Sequence, residues 1–552
     1  MTASVTPRSH WRIAAAVAGL LAALTLFLVA YPSVRASWFG VSQFQDDTFY
    51  YLVTARNFLR LGVFTFDGSN PTNGFQPLWM GAVVTLFKLT GPDSALNLQI
   101  FAVNALEKLL LGAAVVVSLA CYVYSSRRNQ PWATGYLALL LVLLCPFYFV
   151  FDQGMETTLA VLLLLIVIHA FLSDLYLLLG ISLALLFLAR LDTAVFVAAP
   201  LVAWMVVKGR HGGKHCWLAI AIFMITFFAY VGVNLANTGH AVPISGALRS
   251  SFPVIRWQGA FFIEPITLAR MFGWVSLLRG INIVECAGLV ILGLGLTAFA
   301  RPAGDIRNKL LVLGTIATLL VANLLMFQKW EKSIDPRYLA MPMSVATMFA
   351  ANAFAVAMQR IKSPVPAVLN ALPVAVICVL LLAEAEAHGS RFHAYADRRE
   401  DPIRQIFLEI GSVLPRDAVV AGTDVGALAF WTRRRVINLD GVINNFEYQE
   451  YLRAGRLREY LREQGVTFLA TALWDREQTY TRRPIEPMYR QVLDPAAVHG
   501  VGYAKHEFFV YSYLYGVYSD RITFTPRDEV YRKFLGKNGI ADTTYVVYRF
   551  TG

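Results

Sequence analysis

Long, uninterrupted apolar stretches constrain what this chain can fold into more than any other feature of its sequence. They run from Trp11 to Tyr31, Pro131 to Phe151, Cys216 to Leu235, Ile283 to Ala300, Leu310 to Phe327 and Val365 to Ala383. About 18 to 20 apolar residues coil into a helix that crosses a hydrocarbon core of roughly 30 Å. Composition agrees: of 552 residues, 57% are hydrophobic and 15% charged, against roughly 25% charged in water-soluble domains. Lipid, not water, must solvate most of this surface.

The placement of charge gives the stretches a direction. The net charge of +12 comes largely from clusters between apolar segments: Arg127/Arg128, Lys208/Arg210/Lys214, Arg301/Arg307/Lys309 and Arg360/Lys362. That is the positive-inside pattern, not a basic face, and no recognition module accompanies it, which argues against nucleic acid as a partner. The first stretch has a basic flank but no small-residue cleavage pattern, so it is expected to stay as a first helix. None of the five cysteines lies in the polar C-terminal part, so neither a disulfide framework nor a zinc spacing is expected. The expected fold is mainly α, a polytopic bundle of about 11 spans over residues 1–384 with a first external loop at 33–76. The segment Pro77 to Gly91 is too short for a full span and reads as re-entrant or interfacial.

Near residue 385 the sequence turns abruptly to mixed charge. Helix-like runs (Pro402 to Val413, Tyr448 to Gln464) alternate there with β-type runs (Ala418 to Ala421, Arg435 to Leu439, Thr467 to Ala470). This predicts an extracytoplasmic α/β domain over 385–552 without a dinucleotide-type glycine fingerprint.

The segment from Asp46 to Trp79 is where chemistry is expected. Two adjacent carboxylates, Asp46 and Asp47, open it, and a helix over Thr48 to Arg60 sets Asp46, Tyr50, Thr54 and Asn57 on one face. The pair either caps that helix or serves catalysis. Tyr50, Tyr51, Asn73 and Trp79 are the loop's candidates for touching substrate. Asp152 and Glu156 in DQGMETTL, together with Asp47, either hold a divalent cation, Mg or Mn, through oxygen ligands or sit at helix ends. Arg190, Arg249, Arg256, Lys329, Lys332 and Arg337, with Tyr338, fall on the same expected face. Each arginine is either an interfacial anchor or a bidentate phosphate ligand, and acids facing arginines suit a sugar phosphate.

The acidic pair, FTFDG at Phe64–Gly68, PTNG at Pro71–Gly74 and the Pro-Leu-Trp at Pro77–Trp79 together resemble the GT-C superfamily of polyprenyl-phosphate-dependent glycosyltransferases. The layout is similar to that of mycobacterial terminal arabinofuranosyltransferases and bacterial mannosyltransferase-like proteins. GMET at Gly154–Thr157, ARLD at Ala189–Asp192, PRY at Pro336–Tyr338, TDVGALAFW at Thr423–Trp431 and NLDG at Asn438–Gly441 resemble the same group. The resemblance implies an inverting transfer on the outer face of a cell membrane, from a polyprenyl-phosphate sugar to a hydroxyl of a glycan, lipid or protein. It implies Asp46 or Asp47 as the base, and Arg337, Tyr338, Arg249 and Arg190 are the expected ligands of the donor phosphate. Gln76 stands where many relatives have histidine, so no histidine role carries over. The alternative is a lipid-linked saccharide transporter or flippase, which would favour midplane polar sites and internal repeats.

Overall fold

The computed structural model describes residues 44, 46–144, 153–211, 213–253, 283–302, 304–326, 336–359, 402–475, 506–537 and 542–552. In chain order the helices are α1 (Asp46–Leu61), α2 (Pro77–Thr90), α3 (Leu96–Arg127), α4 (Ala133–Leu144), α5 (Thr157–Leu172) and α6 (Tyr176–Ala189). A π-helical turn (Ala194–Ala198) runs into α7 (Ala199–Arg210), followed by α8 (Lys214–Thr238), α9 (Ile244–Arg249), α10 (Ile283–Ala300), α11 (Gly304–Met326) and α12 (Pro336–Met358). The expected spans at Trp11–Tyr31 and Val365–Ala383 lie outside the described residues.

Among the described residues, four helices are long and apolar enough to cross a membrane: α3, α8, α11 and α12. Apolar side chains also stand exposed on α8 and on the shorter α10. α8 leaves Trp217, Leu218, Ile225, Phe228, Val233 and Leu235 exposed, and α10 exposes Ile291, Leu292 and Phe299. Soluble proteins rarely expose contiguous apolar surface of this extent. The protein is membrane-embedded. α2 has only 14 residues, which at 1.5 Å per residue reach about 21 Å and fall short of a bilayer, as its sequence predicts.

The chain divides into two compact units that interleave in sequence. The described part of one comprises residues 104–229, 252–253 and 283–359; α12 packs against α4, α5, α10 and α11 within it. Phe349 of α12 is fully buried, and a Cβ added at Gly293 of α10 or Gly314 of α11 would meet its ring at 2.6 or 2.8 Å. Glycine at both positions lets three helix backbones close around one aromatic ring, the usual way helices associate without water to drive them.

The other unit gathers 44–103, 230–251 and the described residues from 402 onward. The cut differs from a boundary at 384/385: residues 44–103 are grouped with the C-terminal part. Its sheet has the order β2-β1-β3-β9-β8, from β1 (Val419–Gly422), β2 (Arg435–Asn438), β3 (Phe468–Asp475), β8 (Glu529–Lys537) and β9 (Asp542–Arg549). β1 runs parallel to β2 and to β3, whereas β9 is antiparallel to both β3 and β8. Short antiparallel pairs are formed by β4 (His506–Phe508) with β7 (Ile522–Phe524) and by β5 (Tyr511–Ser512) with β6 (Val517–Tyr518). Helices α13 (Pro402–Val413) and α14 (Gly426–Thr432) complete this part, together with α15 (Phe446–Arg453) and α16 (Leu457–Glu463). One helix was expected over Tyr448–Gln464. Gly455 instead adopts a φ of +66°, a left-handed stop that glycine takes without steric cost, and splits the run in two.

Candidate active site

Asp46 and Asp47 are the first two residues of α1, yet Asp46 caps a different helix. Its Oδ2 accepts the Gly426 N–H and its Oδ1 the Ala427 N–H, each at 2.8 Å. These are orphan donors at the start of α14, where a carboxylate is favoured by both hydrogen bonding and the helix dipole. A Cβ added at Gly426 would collide with the Asp46 carbonyl oxygen and press on the Tyr50 ring. The glycine of TDVG is therefore what allows α14 and α1 to meet.

Tyr50 lies one turn along α1. Its buried hydroxyl donates to Asp440 Oδ2 at 2.7 Å and accepts from Asn438 Nδ2 at 3.0 Å. Asp440 also accepts from Asn438 Nδ2 at 2.8 Å and from the Val442 N–H at 3.0 Å. Asp47 pairs with Arg249, Oδ2 to Nη2 at 2.9 Å. Asn73 of PTNG sets up that pair: its Oδ1 accepts the first N–H of α9, from Ile244, at 3.0 Å, and Arg249 is the last residue of the same helix. The PTNG turn is itself fixed on the segment after NLDG. Thr72 Oγ1 donates to the Asn444 carbonyl at 2.8 Å, and a Cβ on Gly74 would clash with the Val442 carbonyl.

Four carboxyls thus share one neighbourhood, because Asp424 joins Asp46, Asp47 and Asp440. Asp424 and Asp440 follow the C-terminal ends of the parallel strands β1 and β2, the edge of an α/β sheet where ligands usually sit. The φ of Asp424 is +50°, a left-handed conformation that aspartate adopts more readily than most non-glycine residues. The electrostatics follow from crowding. Removal from water pushes the Asp46 carboxyl up to about 7; the two backbone N–H groups oppose the rise, and the charges of Asp47 and Asp440 add to it. The Asp424 carboxyl is pushed well above the usual carboxylate range by dehydration and then by Asp440, Asp46 and Asp47, with Arg249 opposing. Asp440 is raised by dehydration against the Tyr50, Val442 and Asn438 hydrogen bonds. Burial and the same carboxylates raise the Tyr50 hydroxyl well above its ordinary value, so it remains a donor.

The remaining expected residues fall as follows. Tyr51 is buried and its oxygen accepts the Gln76 N–H at 3.1 Å. Trp79 has no exposed surface. Asp67 of FTFDG accepts from Thr65 Oγ1 and from the N–H groups of Ser69 and Asn70, a turn-forming duty. Arg190, Arg337, Tyr338 and Glu156 belong to the membrane-embedded unit and meet there. Arg190 binds Asp192 with two hydrogen bonds, at 3.2 and 3.1 Å, and lies 3.8 Å from Glu156. Asn323 also donates to Asp192, at 3.0 Å. Arg190 and Arg337 both stack on the Tyr338 ring. Arg190 is thus flanked by the two carboxylates of Asp192 and Glu156. Asp152, Arg256, Lys329 and Lys332 lie outside the described residues. Asp424, Asn438 and Asp440 were not among the expected site residues, although TDVG and NLDG carried the signal: an acid one or two residues before a glycine, just past a β-type run.

Of the three expected cation ligands, Asp47 and Glu156 are described and Asp152 lies outside the described residues. Asp47 faces a guanidinium, Glu156 faces Arg190, and among the described residues no group of three His, Cys, Asp or Glu side chains is placed to hold an ion.

No family model matches the sequence, and no curated protein matches it either. Among solved structures, the chain is similar to ArnT from Cupriavidus metallidurans in the apo state, with 13% identity and a TM-score of 0.46 over 83% of this chain and 94% of that one. It is likewise similar to the same organism's ArnT bound to undecaprenyl phosphate, with 12% identity and a TM-score of 0.47 over 86% of this chain and 96% of that one.

Proposed function

We propose that this protein is an inverting glycosyltransferase that moves a sugar from a polyprenyl-phosphate carrier to an acceptor hydroxyl at the outer face of a cell membrane. The observation that carries the reading is the Asp46 carboxyl, half-buried and poised near pH 7, in a membrane-embedded chain. A general base works best when its pKa lies near the working pH. In the proposed step the acceptor oxygen attacks C1 of the sugar while Asp46 takes its proton. The C1–O bond to the phosphate breaks on the opposite face, and the polyprenyl phosphate leaves with the bonding pair. Arg249, held by Asp47, supplies positive charge for that phosphate. Tyr50 and Asp440 fix the orientation of α1. Arg337 and Tyr338, in the other unit, are proposed as ligands of a lipid phosphate.

The test is direct. Purified protein in detergent is incubated with a panel of polyprenyl-phosphate sugars and candidate acceptors, and product mass is read. Transfer is expected, and D46N should remove it while the protein stays folded. Full activity in D46N removes Asp46 as the base, and full activity in both D46N and D47N sinks the mechanism. Absence of transfer with any donor, alongside vectorial movement of a lipid-linked sugar in vesicles, would establish the transporter reading instead.

A further inference from the structure

Arg56 is the buried charge that the proposed reaction leaves unused. It sits on α1, ten residues beyond Asp46 and therefore ~15 Å along the helix, and only 4% of its surface is exposed. Its Nε and Nη1 are buried without any hydrogen-bond partner. Its guanidinium carbon lies 5.8 Å from the centroid of the Phe430 ring. Two buried guanidinium nitrogens without hydrogen-bond partners are costly, because their desolvation is not offset.

Two more guanidinium groups reach the same place. Arg60, one turn further on the same face of α1, pairs with Asp93. Arg433, three residues past Phe430, donates from Nη2 to the carbonyl of the adjacent Ser94 at 3.2 Å from a backbone with φ of +53°. The Ser94 hydroxyl is buried there and has no partner of its own. Three arginines and a free hydroxyl donor thus surround one turn whose carboxylate, Asp93, offsets a single positive charge. The crowding acts on Arg56: burial, then Arg60 and Arg433, push its guanidinium down to about 10. Leu61 and Val63, just past Arg60 in sequence, and Leu89, just before the turn, are exposed.

We infer that Arg56, Arg60, Arg433 and Ser94 form a phosphate-binding site, separate from the carboxylate cluster at the other end of α1, that takes the phosphate of an anionic lipid headgroup. Tetrahedral phosphate oxygens accept from several guanidinium N–H groups and a hydroxyl at once. These exposed apolar residues favour a phosphate that arrives with acyl chains over one free in solution, and anionic headgroups attract basic clusters at a membrane surface.

The full-length protein is reconstituted into nanodiscs of phosphatidylcholine with or without phosphatidylglycerol, and lipid retention is read by native mass spectrometry. In detergent, inorganic phosphate is titrated alone. Wild-type protein should retain phosphatidylglycerol, with R60Q and R433Q each weakening retention about tenfold and R60K keeping most of it. Circular dichroism and thermal unfolding confirm that the variants fold. Arginine-dependent binding of inorganic phosphate without lipid retention would keep the anion site but move its ligand to solution, overturning the headgroup assignment. Unchanged lipid and phosphate binding in R60Q and R433Q overturns the site altogether. So does an R56M protein that melts higher and responds to both probes as wild type does, since the guanidinium is then only a buried charge. Sugar transfer is not read, so this outcome is independent of the fate of the proposed reaction.

Discussion

A carboxylate that accepts two backbone N–H bonds at a helix start would ordinarily be held well below its free pKa. Asp46 goes the other way because dehydration and two neighbouring carboxylates outweigh those bonds. Two consequences are measurable. If Asp46 is the base, transfer should rise with pH along a limb with an apparent pKa near 7, and D46N should erase the limb along with the activity. A pH–rate profile on saturating donor tests this, and a limb near 4 would exclude Asp46. The second consequence concerns stability. Between about pH 4 and 7 the folded protein keeps a proton on Asp46 that the unfolded chain has released, so this group's contribution to stability is greatest below about 4 and falls as pH climbs to about 7. Unfolding temperatures of D46N and wild type should therefore diverge in favour of the variant between pH 5 and 8. Equal differences at both pH values would show that Asp46 titrates normally. Tyr50 offers a milder change: Y50F removes the donor to buried Asp440 and should cost about 1–3 kcal/mol, read as a lower unfolding midpoint together with reduced transfer.

At the scale of elements, the contact between α1 and α14 carries the site, and Gly426 is its narrowest point. G426A forces a methyl group into the Asp46 carbonyl and the Tyr50 ring, so a loss of about 1–3 kcal/mol is expected with activity falling further than stability, checked by comparing thermal midpoints with turnover. The sequence made α1 itself legible, since its i, i+4 pattern and acidic start are local signals. It could also place β1, β2 and α13 within a residue or two. The identity of Asp46's partner was not legible, because Gly426 and Ala427 lie 380 and 381 residues away and helical periodicity reports only a helix's own face. The burial of Trp79 was hidden for a similar reason: an aromatic residue at an expected interface reads alike whether it meets substrate or core. Asp424 and Asp440 became visible as site residues only once β1 and β2 proved parallel and adjacent, which put both strand ends at one edge.

For the molecule as a whole, the carboxylate cluster is assembled from three separated pieces of chain: Asp46, Asp47 and Tyr50 from the first, Arg249 from the second, and Asp424, Gly426, Asn438 and Asp440 from the third. Each piece supplies something the others lack. The first brings the proposed base, the second its neighbouring cation, and the third the N–H groups and acids that set the base's pKa. A chain ended at residue 401 retains the four apolar helices long enough to cross a membrane, so it should still insert. It loses both N–H donors to Asp46 and the carboxylate that anchors Tyr50. With those gone, water reaches Asp46, its pKa returns toward the ordinary carboxylate value, and α1 is no longer held. The truncated chain should fractionate with membranes and yet show no transfer above the D46N background, measured on matched membrane preparations. Activity near the wild-type level in the truncated chain would mean that the base works without its C-terminal supports, and the proposed origin of its pKa would have to be abandoned.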